Sequence, residues 1–395
     1  MKEWLEDPFM LSLKPKEAQK KPESTVYAVE GAKGNDGSLN TLLELMDKNG
    51  LKFYRTKSDG LLQGSSGLIS PNDVVIVKVN SQWDECGMTN TDLVKAVVAA
   101  VLAHPDGFAG EVVIADNGQA QYGSTGRGGS LDYEVNNAED RSQSIQKVAD
   151  SFRGMGKVST YLWDEITENW VHEYSDGDAD DGYVVAERAD PHTGILTSYP
   201  KFRTVQGTFV SFKMGGWVPA SKRYDSERLK VINIPVLKSH FIYGVTGAVK
   251  HYMGVPSDKL TAARGHRSHA SVGKGGMGTL MAETRVPTIT VLDAIRVNAK
   301  PGTGPKTPFE GATQAGVIAA SIDPVALDSW AAKNILCAIG KAKYDADVKL
   351  FDPDNKTKGS FGDWLKLACA ELNDAGYAYT FDETRIAVKL ARTSS

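Results

Sequence analysis

Cysteine is scarce in this chain, with three in 395 residues, and the three stand far apart. Cys86, Cys337 and Cys369 form no CxxC pair, which argues against a zinc ribbon or a self-contained iron–sulfur site. Long apolar runs are missing too: none reaches the roughly 18 residues that a membrane span needs. Neither sign of charge is in large excess. A net charge of −4 and a pI near 6.0 leave no footprint for nucleic acid. The opening stretch, MKEWLEDPFMLSLKPKEAQKK, mixes acids and bases without the apolar centre of a signal peptide, so the expected compartment is cytoplasmic and reducing. There is no internal repeat and no low-complexity tract. What remains is an ordinary globular composition, 41% hydrophobic and 24% charged, at a length that suits two or three domains.

The pattern along the chain is α/β. Residues 1–24 read as an arm, either mobile or packed over the fold. Short β-branched runs at 25–29, 73–80, 111–118, 230–238, 288–295 and 316–323 have the look of strands buried on both faces of a parallel sheet. Helical spacing appears at 39–49, ending at Gly50, at 89–104, where Thr89 and Asp92 have capping-box spacing, at 324–336 and at 361–372. Residues 73–118 then form a βαβ unit, and 384–390 fit an edge strand. Residues 119–225 are irregular, with a helical candidate at 140–152 and an alternating run at 208–214. They read as an insertion with a small antiparallel element. The expected fold is a mostly parallel sheet flanked by helices. A main domain spans 25–275, and 276–395 form either a second α/β lobe or a continuation of the same sheet.

Functional residue types gather at strand ends, where open α/β sheets bind ligands. Lys78 and Asn80, Asp116 and Asn117, Lys238 and His240, Asp293, and Asp323 all follow apolar runs. Asp293 and Asp323 also suit helix caps or turns. Lys78 and Lys238 point to phosphate or carboxylate, because a lysine is rarely buried without a partner. Thr89 and Thr91, at a helix start, are further anion candidates. The densest stretch is KVINIPVLKSHFIYGVTGAVKHYMG (230–254), followed by RGHRSH (264–269). His240, His251, His266 and His269 cluster there with Lys238, Lys250 and Arg264, whereas His104, His172 and His192 stand alone. Two of these imidazoles with Asp116 could ligate a divalent metal; His266 and His269 face one way if that segment is helical. Lys250 and His251 would diverge on a helix. Residues 273–278 spell GxGxxG, with Asp293 twenty residues after Gly273, but no apolar strand precedes them. A Gly-rich loop over the site, with Lys274 on an anion, is the expected alternative to a dinucleotide fingerprint. Asp176 to Glu187 imitates a calcium loop, with Asp181 where that loop needs glycine, and reads as an acidic turn.

Taken together, VVIVKVN with TNTDLVKAVV, VVIADNG, NIPVLKSH…GVTGAVKHYMGV, TITVLDAI and SIDPVALD resemble the "domain of unknown function 362" family from about Asp73 to Leu336, the 119–225 stretch apart. That resemblance implies an α/β fold. Many members carry ferredoxin-type cysteines, which this chain lacks, so no built-in iron–sulfur cluster is expected. The order His240…Lys250…His266 is also similar to that of nickel-pincer-nucleotide lactate racemase-type enzymes. That similarity implies His240 as acid/base, Lys250 as the covalent cofactor holder and His266 as nickel ligand. The place of that family's second histidine reads ADNGQAQYG here, with Asp116 and Gln119 instead. A one-base epimerase, another hydride transfer, or a scaffold for a different anionic cofactor remain open.

The leading expectation is a soluble enzyme that acts on a small anionic substrate, such as a 2-hydroxy acid, by proton or hydride transfer with a bound metal or metal-nucleotide. His240 and Lys250 are its catalytic candidates. Lys78, Asn80, Thr89, Thr91, Lys238, Lys250 and Lys274 are candidates for cofactor or anion binding, and His266, His269 and Asp116 for metal. A non-catalytic carrier or redox-partner subunit is the alternative, and an NAD(P)-dependent reductase the third reading. The partner expected is a small anion, with neither nucleic acid nor membrane.

Overall fold

The computed structural model describes residues 9–21, 23–119, 129–175 and 178–393. Among these residues, ten strands make one large sheet. In chain order they are β1 (Ser24–Glu30), β2 (Val74–Lys78), β3 (Glu111–Asp116), β4 (Val158–Leu162), β5 (Leu229–Asn233), β6 (Val236–His240), β7 (Gly244–Thr246), β8 (Ile289–Asn298), β9 (Thr313–Ser321) and β10 (Ile386–Arg392). Their order across the sheet is β10-β1-β9-β8-β5-β2-β3-β4, and β6 pairs with β8 and β7. Most neighbours are parallel. β9 runs against both β1 and β8, and β7 against β6. The strands that follow residue 276 therefore belong to the same sheet as those before it.

Successive residues of a strand point to opposite faces, and each face is buried in its own core. Val74, Ile76 and Val231 enter one core, and Val75, Val77 and Ile232 the other. That is why the runs are apolar without alternation. The first core is closed by α6 (Gly276–Glu283), α7 (Pro324–Ala331), α8 (Cys337–Tyr344) and α9 (Phe361–Asp374). The second is closed by α1 (Ser38–Lys48), α2 (Thr91–Leu102) and α3 (Ile145–Ser151). A separate five-stranded antiparallel sheet, from Gly182–Val185 to Arg223–Asp225, packs Tyr183, Phe202 and Phe212 onto the first core. Arg285 fastens it by donating to the carbonyls of Phe212 (2.9 Å) and Leu229 (3.1 Å).

The region read as an insertion also holds α3 and β4, which pairs parallel to β3 and extends the main sheet. Four of the five residues of β4 are only half-buried, so no apolar run announced it. Expected caps shifted as well. Asn90, rather than Thr89, caps α2 by accepting from the Leu93 N–H (3.0 Å), while Asp92 turns to the Glu139 N–H and Gln143. Asp323 caps α7 through the Val325 and Ala326 N–H groups. The described part of the N-terminal arm lies along the C-terminal strand, where Lys16 and Val388 exchange backbone hydrogen bonds. No helix among the described residues is long and apolar enough to cross a membrane.

Candidate functional site

β5 ends at Asn233, and Ile234-Pro235 offsets the chain before β6 continues along β8. The offset is pinned from outside. The Ile234 N–H donates to the Lys78 carbonyl (2.8 Å) and the Val236 N–H to Asn80 Oδ1 (2.9 Å). The hairpin β6–β7 places Lys238 directly opposite Thr246. Cross-strand partners share a face. Gly247 lets Asp328 come close: a Cβ there would lie 2.2 Å from Asp328 Oδ1. That carboxylate accepts from the Ala248 (2.6 Å) and Val249 (2.9 Å) N–H groups, and burial pushes it up to about 7. It thereby seats the 3-10 turn Lys250–Gly254.

These pieces enclose a chamber of about 40 Å³ at the carboxyl ends of β2 and β3, bordered by Asn80, Asp116, Lys238, Thr246, Lys250 and His251. By the volume one water needs, it holds about three. Gln82, His269 and Pro305 border both the chamber and an open vestibule of about 740 Å³, walled by Trp83, Phe241, Ile242 and Tyr243 with Arg267 and Lys306. Phe241 and Ile242 are exposed at its edge.

The four basic side chains differ in how they are held. Lys78 is fully buried and paired with Asp116 (2.9 Å), whose other oxygen accepts from the Ser81 N–H (2.8 Å) and hydroxyl. Lys238 is buried and donates to the Gly87 carbonyl. Burial first, then the neighbouring Lys250 charge, brings its ammonium down to about 7. Lys250 is buried and makes no hydrogen bond or ion pair among the described residues; its ammonium lies 5.5 Å from the Tyr243 ring centre. Burial alone brings it down to about 7. His251 is held by Asn233 (2.7 Å) and driven well below its usual range by burial. It borders the same chamber as Lys250, its neighbour on the 3-10 turn.

At the mouth, His240, Tyr243 and His269 form an aromatic cluster with centres 5.3 to 6.2 Å apart. His240 Nδ1 accepts from the Ile242 (3.2 Å) and Tyr243 (3.3 Å) N–H groups. Two donors aimed at Nδ1 leave the proton on Nε2. Burial, then the Lys250 charge, holds the ring far below its usual range, so it faces the vestibule as a neutral donor. His269 is lowered to about 3, chiefly by burial. Its Nδ1, like Thr246 Oγ1, is buried with no hydrogen-bond partner among the described residues. Unsatisfied buried polar atoms of this kind are costly, and here they border a cavity.

The remaining candidates lie elsewhere. Thr89 Oγ1 donates to the Ile234 carbonyl (2.9 Å) and accepts from the Asn80 N–H, and Thr91 bonds Asn136, so both serve the fold. Asp293 ties down the α2 cap through the Asn90 N–H (2.8 Å). His266 is half-buried and borders neither cavity, and α5 (Ser268–Ser271) starts after it, so His266 and His269 do not share a helix. His266, His269 and Asp116 do not converge. Among the described residues, the carboxylate/imidazole/thiol group with donor atoms within 4.8 Å of one another is Asp190, His192 and Glu371, at the surface. Lys274 is exposed, and its Gly-rich segment is helical instead of a lid. A Cβ at Gly278 would sit 2.3 Å from the Ala368 carbonyl, so glycine there serves the close crossing of α6 and α9. In the acidic turn, Asp178 pairs with Lys201 and Asp181 accepts from Tyr161; Asp176 and Gly177 lie outside the described residues.

Thr246, Asp328, Tyr243 and the loop at Gly304-Pro305 were missed. Only Asp328 had a visible signal, as the last residue of DPVALD. The others reach the site through pairing and loop paths that spacing does not reveal. Gly254 is a position of close approach: a Cβ would meet Asp116 Oδ1 at 2.2 Å and Lys78 Nζ at 2.7 Å. Gly254→Ala is expected to cost about 1–3 kcal/mol by overpacking, read as a lower urea midpoint at unchanged slope. An unchanged midpoint would show that the turn has room to move.

Residues 223–333 match the family described as "Domain of unknown function (DUF362)". The matched segment contains Lys238, His240, Lys250 and Asp328, and leaves Lys78 and Asp116 outside. No curated protein matches the chain, and nothing in these comparisons supports the similarity to lactate racemase-type enzymes.

Proposed function

We infer that this chain is an enzyme acting on a small anionic substrate, of the 2-hydroxy acid or related 2-oxo acid type, by proton or hydride transfer in the lysine chamber. One observation carries the reading. Lys250, a buried lysine without a counter-ion among the described residues, shares a cavity with Lys238 and with Thr246 Oγ1 and His269 Nδ1, which have no hydrogen-bond partner among those residues either. An anion entering there gains the two lysine amines as partners and can accept from the Thr246 hydroxyl. His240 Nε2–H then acts as a hydrogen-bond donor to substrate oxygen. Lys250, poised near neutrality, takes or returns the proton.

A metal-nucleotide of the kind the sequence resemblance implies would supply a pyridinium as hydride acceptor. Lys250 suits its attachment and the vestibule has the volume of a cofactor pocket. Its metal set does not assemble, since His266 borders neither cavity. The residues do not make the whole site.

The test is a panel of glycolate, lactate, pyruvate and phosphate. Thermal shift reads binding, and proton NMR in D2O reads loss of the substrate C–H. A carboxylate should raise the melting temperature, more strongly at pH 6.5 than at pH 9, and exchange its C–H with solvent. Binding without exchange of any carboxylate would favour the carrier reading; no binding at millimolar concentration would overturn the anion site itself.

A further inference from the structure

The placement of Lys250 suits more than holding an anion. Its amine sits in a chamber of about 40 Å³, beside a second lysine, with no carboxylate of its own among the described residues. Asp116, the carboxylate bordering the chamber, is already engaged by Lys78 and Ser81. Structural lysines in this fold look different: Lys78 has Asp116, and Lys201 has Asp178. Evolution of a merely anion-binding lysine does not require the ammonium to be stripped of every acceptor. A nucleophilic one does, because the lone pair must be free. Lys238 and Thr246, side by side across the hairpin, offer donors to a carboxylate. Past Gln82, His269 and Pro305, which border both spaces, the chamber meets a vestibule with Trp83, Phe241 and Tyr243 on its walls.

We propose that Lys250 captures the carbonyl of a 2-oxo acid as an imine, with the carboxylate at Lys238 and Thr246 and an apolar or aromatic substituent in the vestibule. The Lys250 nitrogen attacks the carbonyl carbon. The carbon–oxygen bond breaks, the two amine hydrogens leave with that oxygen as water, and a carbon–nitrogen double bond remains. Protonation of the imine by solvent restores a positive charge beside the carboxylate. Burial brings the Lys250 ammonium down to about 7, so that near neutral pH far more of it is free amine than of an ordinary lysine. The proposal rests on the anion site described above, and adds a covalent step and a ligand class.

The test incubates the full chain with phenylpyruvate or pyruvate at pH 7, reduces with borohydride, and maps the product by peptide mass spectrometry. One reduced adduct at Lys250 is expected, formed at least about tenfold faster than at any other lysine, and faster with phenylpyruvate than with pyruvate. It should be lost in Lys250→Met and Lys250→Arg, whose melting curves report that they fold. An adduct spread over surface lysines, or confined to Lys238, overturns the proposal. So does the absence of an adduct while thermal shift still reports binding, a result that leaves the anion site standing. Absence of both binding and adduct removes the anion site as well.

Discussion

Lys250→Met raises the stability of the folded chain while removing its covalent chemistry. The buried ammonium is held at about 7, against 10.5 for a free lysine, by desolvation. Between these two values the unfolded chain holds a proton that the folded chain lacks, so stability climbs as pH rises through that window. Below about pH 7 both states are protonated and the burial cost is present in full. Replacing the lysine by an apolar side chain of similar length should therefore gain on the order of 3–5 kcal/mol at pH 6. The gain should shrink steadily towards pH 10. Urea titrations of both proteins at pH 6, 8 and 9.5 measure it. A variant no more stable than the parent at pH 6 would mean that the ammonium finds an acceptor in solution.

Removing the carboxylate at Asp116 does the reverse. Asp116→Ala leaves Lys78 fully buried without its partner and takes an acceptor from both the N–H and the hydroxyl of Ser81. Breaking a buried pair from one side costs about 3–5 kcal/mol, whereas replacing both members by apolar residues is often neutral. The double variant Lys78→Met/Asp116→Leu should therefore recover most of what the single change loses. Denaturant midpoints of the two single variants and the double close the cycle. A loss below about 1 kcal/mol for Asp116→Ala would show that Lys78 escapes to water or to another acceptor. The two lysines thus separate by experiment: one answers to the fold, the other to a ligand.

Much of this was legible in the residues. Runs such as VVIVK and EVVIAD are apolar on both faces because helices cover both faces of the sheet, and that signature needs no three-dimensional knowledge. The concentration of Lys238, His240, Lys250, His251 and His269 at one place was equally visible, and all five border the chamber or its vestibule. The roles within that group were not. Whether a lysine at a strand end is paired depends on what the neighbouring strand presents in register: Lys78 has β3, and with it Asp116, at its side. His240 looked like an acid/base by residue type, yet two backbone N–H groups of its own turn take Nδ1. β4 escaped notice because an outer strand with a polar Ser159 and half-buried Thr160 and Tyr161 carries too little apolar signal. The glycines at 273–278 imitated a phosphate loop because tight helix packing and phosphate approach both need a missing side chain.

The pairing of β1 bears on how the protein is made. Its two neighbours are β9 and β10, whose registers join Ala28 to Ala319 and to Leu390. A ribosome therefore releases the first strand roughly three hundred residues before either partner exists. At about 5–20 residues per second that is a wait of some 15–60 s. During it an apolar VYAV segment has no edge to join, while β2, α2 and β3 can already close on one another. Until then the nascent chain carries β1 with its backbone hydrogen-bonding groups unpaired by either of its sheet neighbours.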